Sequence, residues 1–351
     1  MTTIYLIRHA EAEGNLYRRC QGHYDATITA RGYRQIAALA KRFEGERVDA
    51  AYSSDLTRTI TTALAVTRVH GLPLHTTPGL REVGMGVWED RTWAWLRKFD
   101  HERLLAFNTD AGNWHVEGGE DMPVLSARLL SALNDIIAAH PDQTVAVFSH
   151  GMALRLLVGT LQGLSLSEID RTRHAENTAV TKLTAGENGI RVVYRDDASH
   201  LSEDLMTLRM QARTKSKDGV KPEVWFRPDP RTRGRFEVMQ GDDAVGALSL
   251  HQGEEGLAVI DEFWLENGVQ GCGLGVRLVG QAVSYARAQG CAALGAVIPR
   301  DNPAALKRAV EYGFSPERAT PNAVVYRLYI GRDEAYRIAR FDEAWEALRR
   351  T

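Results

Sequence analysis

Four apolar, β-favouring residues, Ile4-Tyr5-Leu6-Ile7, run straight into Arg8-His9. The same arrangement returns at Val145-Ala146-Val147-Phe148, which runs into Ser149-His150. A short apolar run without alternation reads as a strand buried on both faces, as in the centre of a parallel sheet. In open α/β sheets, ligands bind beyond the carboxyl ends of such strands. A third short strand is expected over Val48–Tyr52. It ends in Ser53-Ser54-Asp55-Leu56-Thr57-Arg58 and hands over to an Ala- and Thr-rich helix, whose N-terminus favours anions through its unpaired N–H groups and dipole. Each feature alone has a bland reading: an Arg-His pair as a solvated strand end, His150 as a hydrogen-bonded structural residue, Glu82 as a surface charge. Together, His9, His150, Arg8, Arg58 and Glu82 at one sheet edge would make an anion pocket with a nucleophile and a proton donor.

A chain of 351 residues exceeds one ordinary core, so two domains are expected. A hydrophobic content of 44% with 25% charged residues argues against disorder, and a net charge of −2 gives no basic field for nucleic acid. Cys20, Cys272 and Cys291 are far apart and show no zinc-ligand spacing, and no carboxylate cluster suggests a metal. No apolar stretch of about 18 residues stands out. The expectation is a soluble cytoplasmic protein with no metal, nucleic-acid or membrane partner.

Helical spacing is expected over Tyr33–Phe43 and Met122–Ala139, the latter with carboxylates of Glu117-Gly118-Gly119-Glu120-Asp121 at its start. The aromatic stretch Arg91–His115 reads as a cap of helices. Strands over Asn177–Leu183 and Ile190–Tyr194 would close the sheet. Arg213–Gly219 reads as a polar linker. Beyond it come a hairpin about Gly241-Asp242-Asp243, a strand over Gly256–Leu265, the Gly-rich turn Gln270-Gly271-Cys272-Gly273-Leu274-Gly275 opening a helix to about Ala288, and a strand over Cys291–Ile298. A helix starts at Asn302-Pro303 and a last strand covers Val324–Ile330.

Arg8-His9-Ala10-Glu11-Ala12-Glu13-Gly14-Asn15, Gln21-Gly22, Tyr52-Ser53-Ser54-Asp55-Leu56-Thr57-Arg58-Thr59, Leu80-Arg81-Glu82 and Ser149-His150-Gly151 resemble the histidine phosphatase superfamily, with its phosphoglycerate-mutase-like fold. The family usually carries Gly where Ala10 stands. The resemblance implies that His9 becomes phosphohistidine, that Arg8, Arg58 and His150 hold the phosphoryl oxygens with Asn15 and Gln21, and that Glu82 protonates the leaving alcohol of a small-molecule phosphate ester. The residue types suit that chemistry without a metal. A neutral imidazole is a nucleophile, forked guanidiniums bind spread anionic charge, and a carboxyl beside a dianion is expected to hold its proton. A mutase would need further basic groups, for which Arg18, Arg19, Arg91, Arg97 and Lys98 are candidates or solvated charges. The modest Glu82–Glu117 loop resembles the phosphatase branch.

The second half resembles the GNAT acetyltransferase superfamily, through Gln270–Gly275 and the run from Asn302 to Gly313-Phe314. It implies that Gln270, Gly271, Cys272, Gly273, Leu274 and Gly275 hold the pyrophosphate of acetyl-CoA or another acyl-CoA, and that Asn302 lies near the thioester. The family's Tyr acid aligns with Ala309; Tyr312 lies a turn later. Glu262 is a base candidate or a surface carboxylate, and the amine acceptor is unspecified. The segment before Phe236 is short for the acceptor-side helices, and the C-terminal helix, Asp333–Arg349, is expected to pack there instead. The fold expected is α/β: a three-layer sheet flanked by helices over 1–200, a linker over 201–222, a smaller α+β domain over 223–330 and a C-terminal helix over 331–351. The alternatives are phosphoglycerate-mutase-type transfer, and a second half that binds coenzyme or a partner without catalysis.

Overall fold

A computed structural model describes residues 1–213, 222–254 and 256–350. The first half runs β1 (Thr2–Arg8), α1 (Glu13–Tyr17), α2 (Ala30–Phe43), β2 (Ala50–Ser53), α3 (Thr57–His70), β3 (Leu74–Thr76), α4 (Trp93–Phe99), α5 (His101–Thr109), α6 (Met122–Ala139), β4 (Thr144–Ser149), α7 (Gly151–Leu161), the short α8 (Leu166–Asp170), β5 (Val180–Gly186), β6 (Gly189–Asp197) and α9 (Thr207–Arg213). Its six-stranded sheet has the order β3-β2-β4-β1-β5-β6, with β1, β4, β2 and β3 parallel and β5 and β6 antiparallel. The unalternating runs have the expected cause. Ile4, Leu6, Val145 and Val147 face Leu125, Leu129 and Leu133 of α6 and Leu156 of α7. Tyr5, Ile7, Ala146 and Phe148 face Ile36, Leu39 and Phe43 of α2 and Val66 of α3. Burying each large side chain stabilises by about 1.5–3 kcal/mol, so both faces must be covered, which makes the three layers.

Helix α6 meets the length and composition of a membrane span, correcting the expectation that no such stretch occurs. Its buried stripe of Met122, Leu125, Leu129, Leu133 and Ile136 instead packs on the sheet. The carboxylates before it do not cap it. Glu120 pairs with Arg128 at 2.6 Å and Asp121 lies 3.1 Å from His115.

The second half runs β7 (Trp225–Pro228), β8 (Arg235–Gln240), β9 (Asp243–Gln252), β10 (Leu257–Leu265), α10 (Leu274–Ala288), β11 (Ala293–Pro299), α11 (Pro303–Glu311), β12 (Ser315–Ala319), β13 (Ala323–Tyr329) and α12 (Glu334–Arg349). Its seven-stranded sheet has the order β12-β13-β11-β10-β9-β8-β7. Strands β10 and β11 pair in parallel only from Leu257 to Ile260. Beyond that they part, and the gap is a cavity of about 490 Å³ reached by Ile260, Phe263, Ile298, Asn302 and Tyr312. No helix stands between β7 and β8; residues 229–234 simply link them.

Two expectations are corrected. Residues 201–213 are not a free linker. Leu201 and Leu205 are buried beside Ala38, and Gln35 donates to the Leu205 carbonyl at 2.6 Å and to Thr207 at 2.9 Å. The rest of the Arg213–Gly219 run lies outside the described residues beyond Arg213, the last residue of α9. Nor does α12 pack at the acceptor side of the second sheet. It lies on α2 and α3, where Phe341 is buried in their core. The second half grips the first elsewhere as well. Tyr17 of α1 is buried in the second core, and a Cβ on Gly280 of α10 would fall 2.6 Å from it.

Candidate active site

The parallel register sets Arg8 beside Ser149 and Ser53 beside Phe148, so the residues after β1, β4 and β2 emerge at one edge. His9 is buried there. Its Nδ1 lies 2.7 Å from the Ala10 carbonyl; in the tautomer where Nδ1–H donates to that oxygen, Nε2 keeps a free lone pair. Burial first, then Arg58 and Arg8, hold the imidazole well below its ordinary range, so it is neutral at neutral pH. His150 follows β4 as the N-cap of α7, with its ring 5.4 Å from that of His9. Its Nδ1 accepts from Arg58 Nε at 3.1 Å, so Nε2 carries the hydrogen, and that atom is buried without a partner.

Arg58 is clamped: besides His150, its Nη atoms donate to the Tyr24 and Gly22 carbonyls at 2.9 and 2.7 Å. Two of its five N–H groups remain for a ligand. Arg8 donates to the Ala175 carbonyl, and its Nε is buried and unpartnered. Glu82 is drawn to the N-terminus of α7, where its carboxylate accepts from Met152 N at 3.1 Å and Ala153 N at 2.8 Å. The backbone of that segment is pinned by Ser149 Oγ on Leu80 O at 2.8 Å and by Arg128 on Glu82 O at 3.2 Å. Asn15 Oδ1 accepts from Ala12 N, leaving its amide donors for the cavity. Gln21 packs over Gly14, where a Cβ would sit 2.1 Å from Gln21 Cγ.

Arg8, His9, Asn15, Gln21, Arg58 and Glu82 line one cavity of about 500 Å³. His150 sits behind them at 0% exposure. Ala10 keeps an ordinary backbone φ, with its methyl buried in the core and its N–H bound to Thr62 Oγ1 at 2.9 Å. The aromatic cap divides: Trp114 is core, as is Trp88 just before the cap, while Trp93 and Phe107 reach the cavity. Three participants carried no sequence signal. Asn177 Nδ2 holds the His9 carbonyl at 2.8 Å. His174 lines the cavity, its pKa pushed down to about 4 by burial and then by Arg155 and Arg8. Gln211 of α9 reaches in from beyond the first sheet and donates to Asn15 O at 2.9 Å.

Residues 4–198 match the model of the histidine phosphatase superfamily (branch 1). The chain belongs to the histidine phosphatase superfamily. Residues 201–314 match the acetyltransferase (GNAT) family model, so a phosphatase-family domain is fused to a GNAT domain. The chain is 32% identical over 208 residues to a probable phosphoglycerate mutase GpmB of Proteus mirabilis, covering 58% of this chain and 96% of that protein. Among solved structures, YhfR of Bacillus stearothermophilus aligns with TM-score 0.56 at 29% identity, over 57% of this chain and 100% of its own. A mycobacterial glucosyl-3-phosphoglycerate phosphatase aligns with TM-score 0.52 at 25% identity, over 56% and 99%.

In the GNAT domain, the Gly-rich turn forms an open cradle. Gly271 and Gly273 take left-handed φ values of 81° and 72°. Among the described residues, no backbone carbonyl accepts from the N–H groups of Gly271, Cys272 or Gly273. With the first turn of α10 they form a nest suited to an anion, which fits the pyrophosphate of a coenzyme. Gln270 uses its side chain to brace the turn, on Leu265 O at 2.9 Å. Gly275 is required by packing, since a Cβ would fall 2.2 Å from the Tyr312 hydroxyl. Asn302 caps α11, accepting from Ala305 N at 3.0 Å, while still lining the inter-strand cavity. Glu262 is tied to Arg235. Ala309 is buried, and it is Tyr312 that reaches the cavity with a hydroxyl.

Proposed function

We propose that the phosphatase domain hydrolyses a small-molecule phosphate monoester, without a metal, through a phosphohistidine on His9. The observation that carries this is His9 itself: a buried imidazole, held neutral, whose Nδ1 faces the Ala10 carbonyl and leaves Nε2 for attack, between Arg8 and Arg58. Nε2 attacks phosphorus while Arg8, Arg58 and the Nε2–H of His150, with Asn15 and Gln21, hold the phosphoryl oxygens. Glu82 protonates the departing alcohol oxygen. Water then attacks phosphorus, Glu82 takes its proton, and inorganic phosphate leaves with His9 restored. The guanidiniums supply the positive charge that a metal would otherwise bring.

A specific observation favours the mutase reading as the rival. Of the basic candidates, Arg18 and Arg97 do reach the cavity, where they could hold a carboxylate. Arg19 also lines the cavity but is paired with Asp90, and Arg91 lies over Trp95. The test is to supply 3-phosphoglycerate and p-nitrophenyl phosphate. Hydrolysis releases inorganic phosphate from both; isomerisation to 2-phosphoglycerate without phosphate release would replace this reading with the mutase.

For the GNAT domain we propose acyl-CoA binding at Gln270–Gly275. Bound there, the coenzyme would supply an acyl thioester for transfer to an amine. Burial raises the Tyr312 hydroxyl above its usual range, so it keeps a proton to give to a thiolate, the role for which Ala309 has no group. Calorimetric titration with acetyl-CoA followed by an amine panel checks this: binding without transfer makes the domain a sensor, and no binding removes the proposal.

The pH dependence follows from His9. Protonation would remove its lone pair, so activity is lost as pH falls. Because its pKa is depressed, that loss is displaced to the acid side of the ordinary value of about 6.5. After allowance for the substrate's own second ionisation, His9 therefore adds no acid limb to kcat/KM in that region. An acid limb centred at about 6.5 would mean that His9 titrates normally and would overturn the neutral-nucleophile argument.

A further inference from the structure

The phosphatase cavity does not end at its own domain. A second cavity of about 340 Å³ lies on the seam with the GNAT domain, between α1, α4 and the start of α10. Asn15, Arg18, Trp93, Arg97 and Gln211 line both cavities, so the two adjoin across the same side chains. The second cavity adds two guanidiniums, Arg31, which is paired with Glu11, and Arg277 from α10, which is not paired among the described residues.

Among the described residues Arg18, Arg97 and Arg277 are uncompensated: none of the three has a carboxylate within ion-pair distance. Arg18 spends one donor on Gln211 Oε1, and Arg97 and Arg277 make no side-chain hydrogen bond among the described residues. Arg277 is largely buried, and its pKa is pushed down to about 10, first by burial and then by Arg18 and Arg97. Arg18 also holds a left-handed backbone, φ 58°, that a non-glycine residue adopts only at a cost. Glu11 lines the same cavity but is committed elsewhere, to Arg31 at 2.9 Å, Thr29 at 2.7 Å and Thr207 at 3.1 Å. Like charges gathered in a partly dry cleft repel one another unless an anion joins them. Forked guanidiniums are suited to phosphate or carboxylate.

We propose that Arg18, Arg97 and Arg277 form a second anion site, built by both domains, that takes the non-reacting phosphate or carboxylate of a phosphatase substrate whose reacting phosphoryl group lies at His9. Trp93, between the two cavities, covers the carbon skeleton that joins the two anionic groups. The substrate class is thus a phosphomonoester carrying a distal anion. The GNAT domain acts on phosphatase specificity through Arg277, beside Cys272, Gly273 and Leu274 of the coenzyme cradle, which line the same cavity. This rests on the hydrolase reading above.

The experiment uses the full-length protein and a series of α,ω-alkanediol bisphosphates, each beside the alkyl monophosphate of the same length. At the length that spans the two sites, kcat/KM for the bisphosphate exceeds that for the monophosphate. Arg277→Ala lowers that ratio about tenfold or more, the loss expected for one charge-assisted contact, while Arg277→Lys restores part of it. If no phosphate ester is hydrolysed, the hydrolase reading has failed. If monophosphates are hydrolysed but the ratio stays near one and ignores Arg277, the second site alone is refuted. Calorimetric titration with coenzyme A is the remaining arm. Coenzyme binding weakened about tenfold in Arg277→Ala, with the ratio unmoved, would assign the arginines to the coenzyme's phosphates and overturn the proposal.

Discussion

Replacing His9 with alanine lowers kcat for p-nitrophenyl phosphate on the order of 10⁴-fold or more, the loss expected when the nucleophile of a covalent mechanism is removed. That is a rise in barrier of about 5.5 kcal/mol. The rest of the pocket does not depend on the ring. The His9 backbone stays held by Asn177 through its carbonyl and by Ser149 O through its N–H at 3.0 Å, and Arg58 keeps its grip on His150, Tyr24 and Gly22. Inorganic phosphate therefore inhibits the wild type and binds the alanine variant with affinities within a few fold of each other, which separates loss of the nucleophile from collapse of the site. Rapid quench with a ³²P-labelled ester traps an acid-labile, base-stable phosphoryl group on the wild type and none on His9→Ala. A variant keeping more than about a hundredth of wild-type kcat, or label that survives acid, would place the nucleophile elsewhere.

What the sequence revealed followed from short-range pattern. The runs ending at Arg8 and Phe148 had to be doubly buried, and their ends brought His9 and His150 together because the strands are neighbours in register. Helices α6 and α10 matched the expected Met122–Ala139 and the expected end at Ala288 because their breaks are local. The misses are of another kind. Strand β12 is exposed along its whole length and so has no apolar alternation to read. Asn177 and His174 lie in a loop whose composition is ordinary, and only the sheet brings them to His9. The C-terminal helix showed an apolar face, but a face does not name its partner; Phe341 found the α2–α3 core. Three arginines meet at the seam from positions 18, 97 and 277, a convergence that no window of sequence contains.

Substituting methionine for Arg287 destabilises the whole chain by about 3 kcal/mol or more in urea, and it lowers phosphatase activity from a residue of the other domain. Arg287 of α10 crosses the seam and grips Glu13 of α1 with both Nη atoms, at 2.8 and 2.9 Å. It also donates to the Tyr24 hydroxyl at 2.9 Å and the Ile330 carbonyl at 2.8 Å. The side chains of Arg287 and Glu13 are only 13% and 9% exposed. Burial pulls the guanidinium's pKa down, but Glu13 and then Tyr24 outweigh it and raise the pKa above the ordinary value. Removing Arg287 leaves the Glu13 carboxylate buried with only Thr27 as partner among the described residues, at 2.8 Å, and a lone buried charge costs more than the intact pair gains. Pairing Arg287→Met with Glu13→Gln should therefore recover much of the loss, since neither charge is then stranded. The double-mutant cycle reads this directly, and a coupling below about 0.5 kcal/mol would reduce the pair to a surface contact. The effect on activity follows from what α1 carries. Asn15 lies on it and Gln21 follows it, both in the cavity of His9, so loosening α1 raises KM for the phosphate ester several-fold while the chemistry at His9 is untouched. Wild-type KM in a variant that has lost the stability would show that the seam holds the domains together without holding the site.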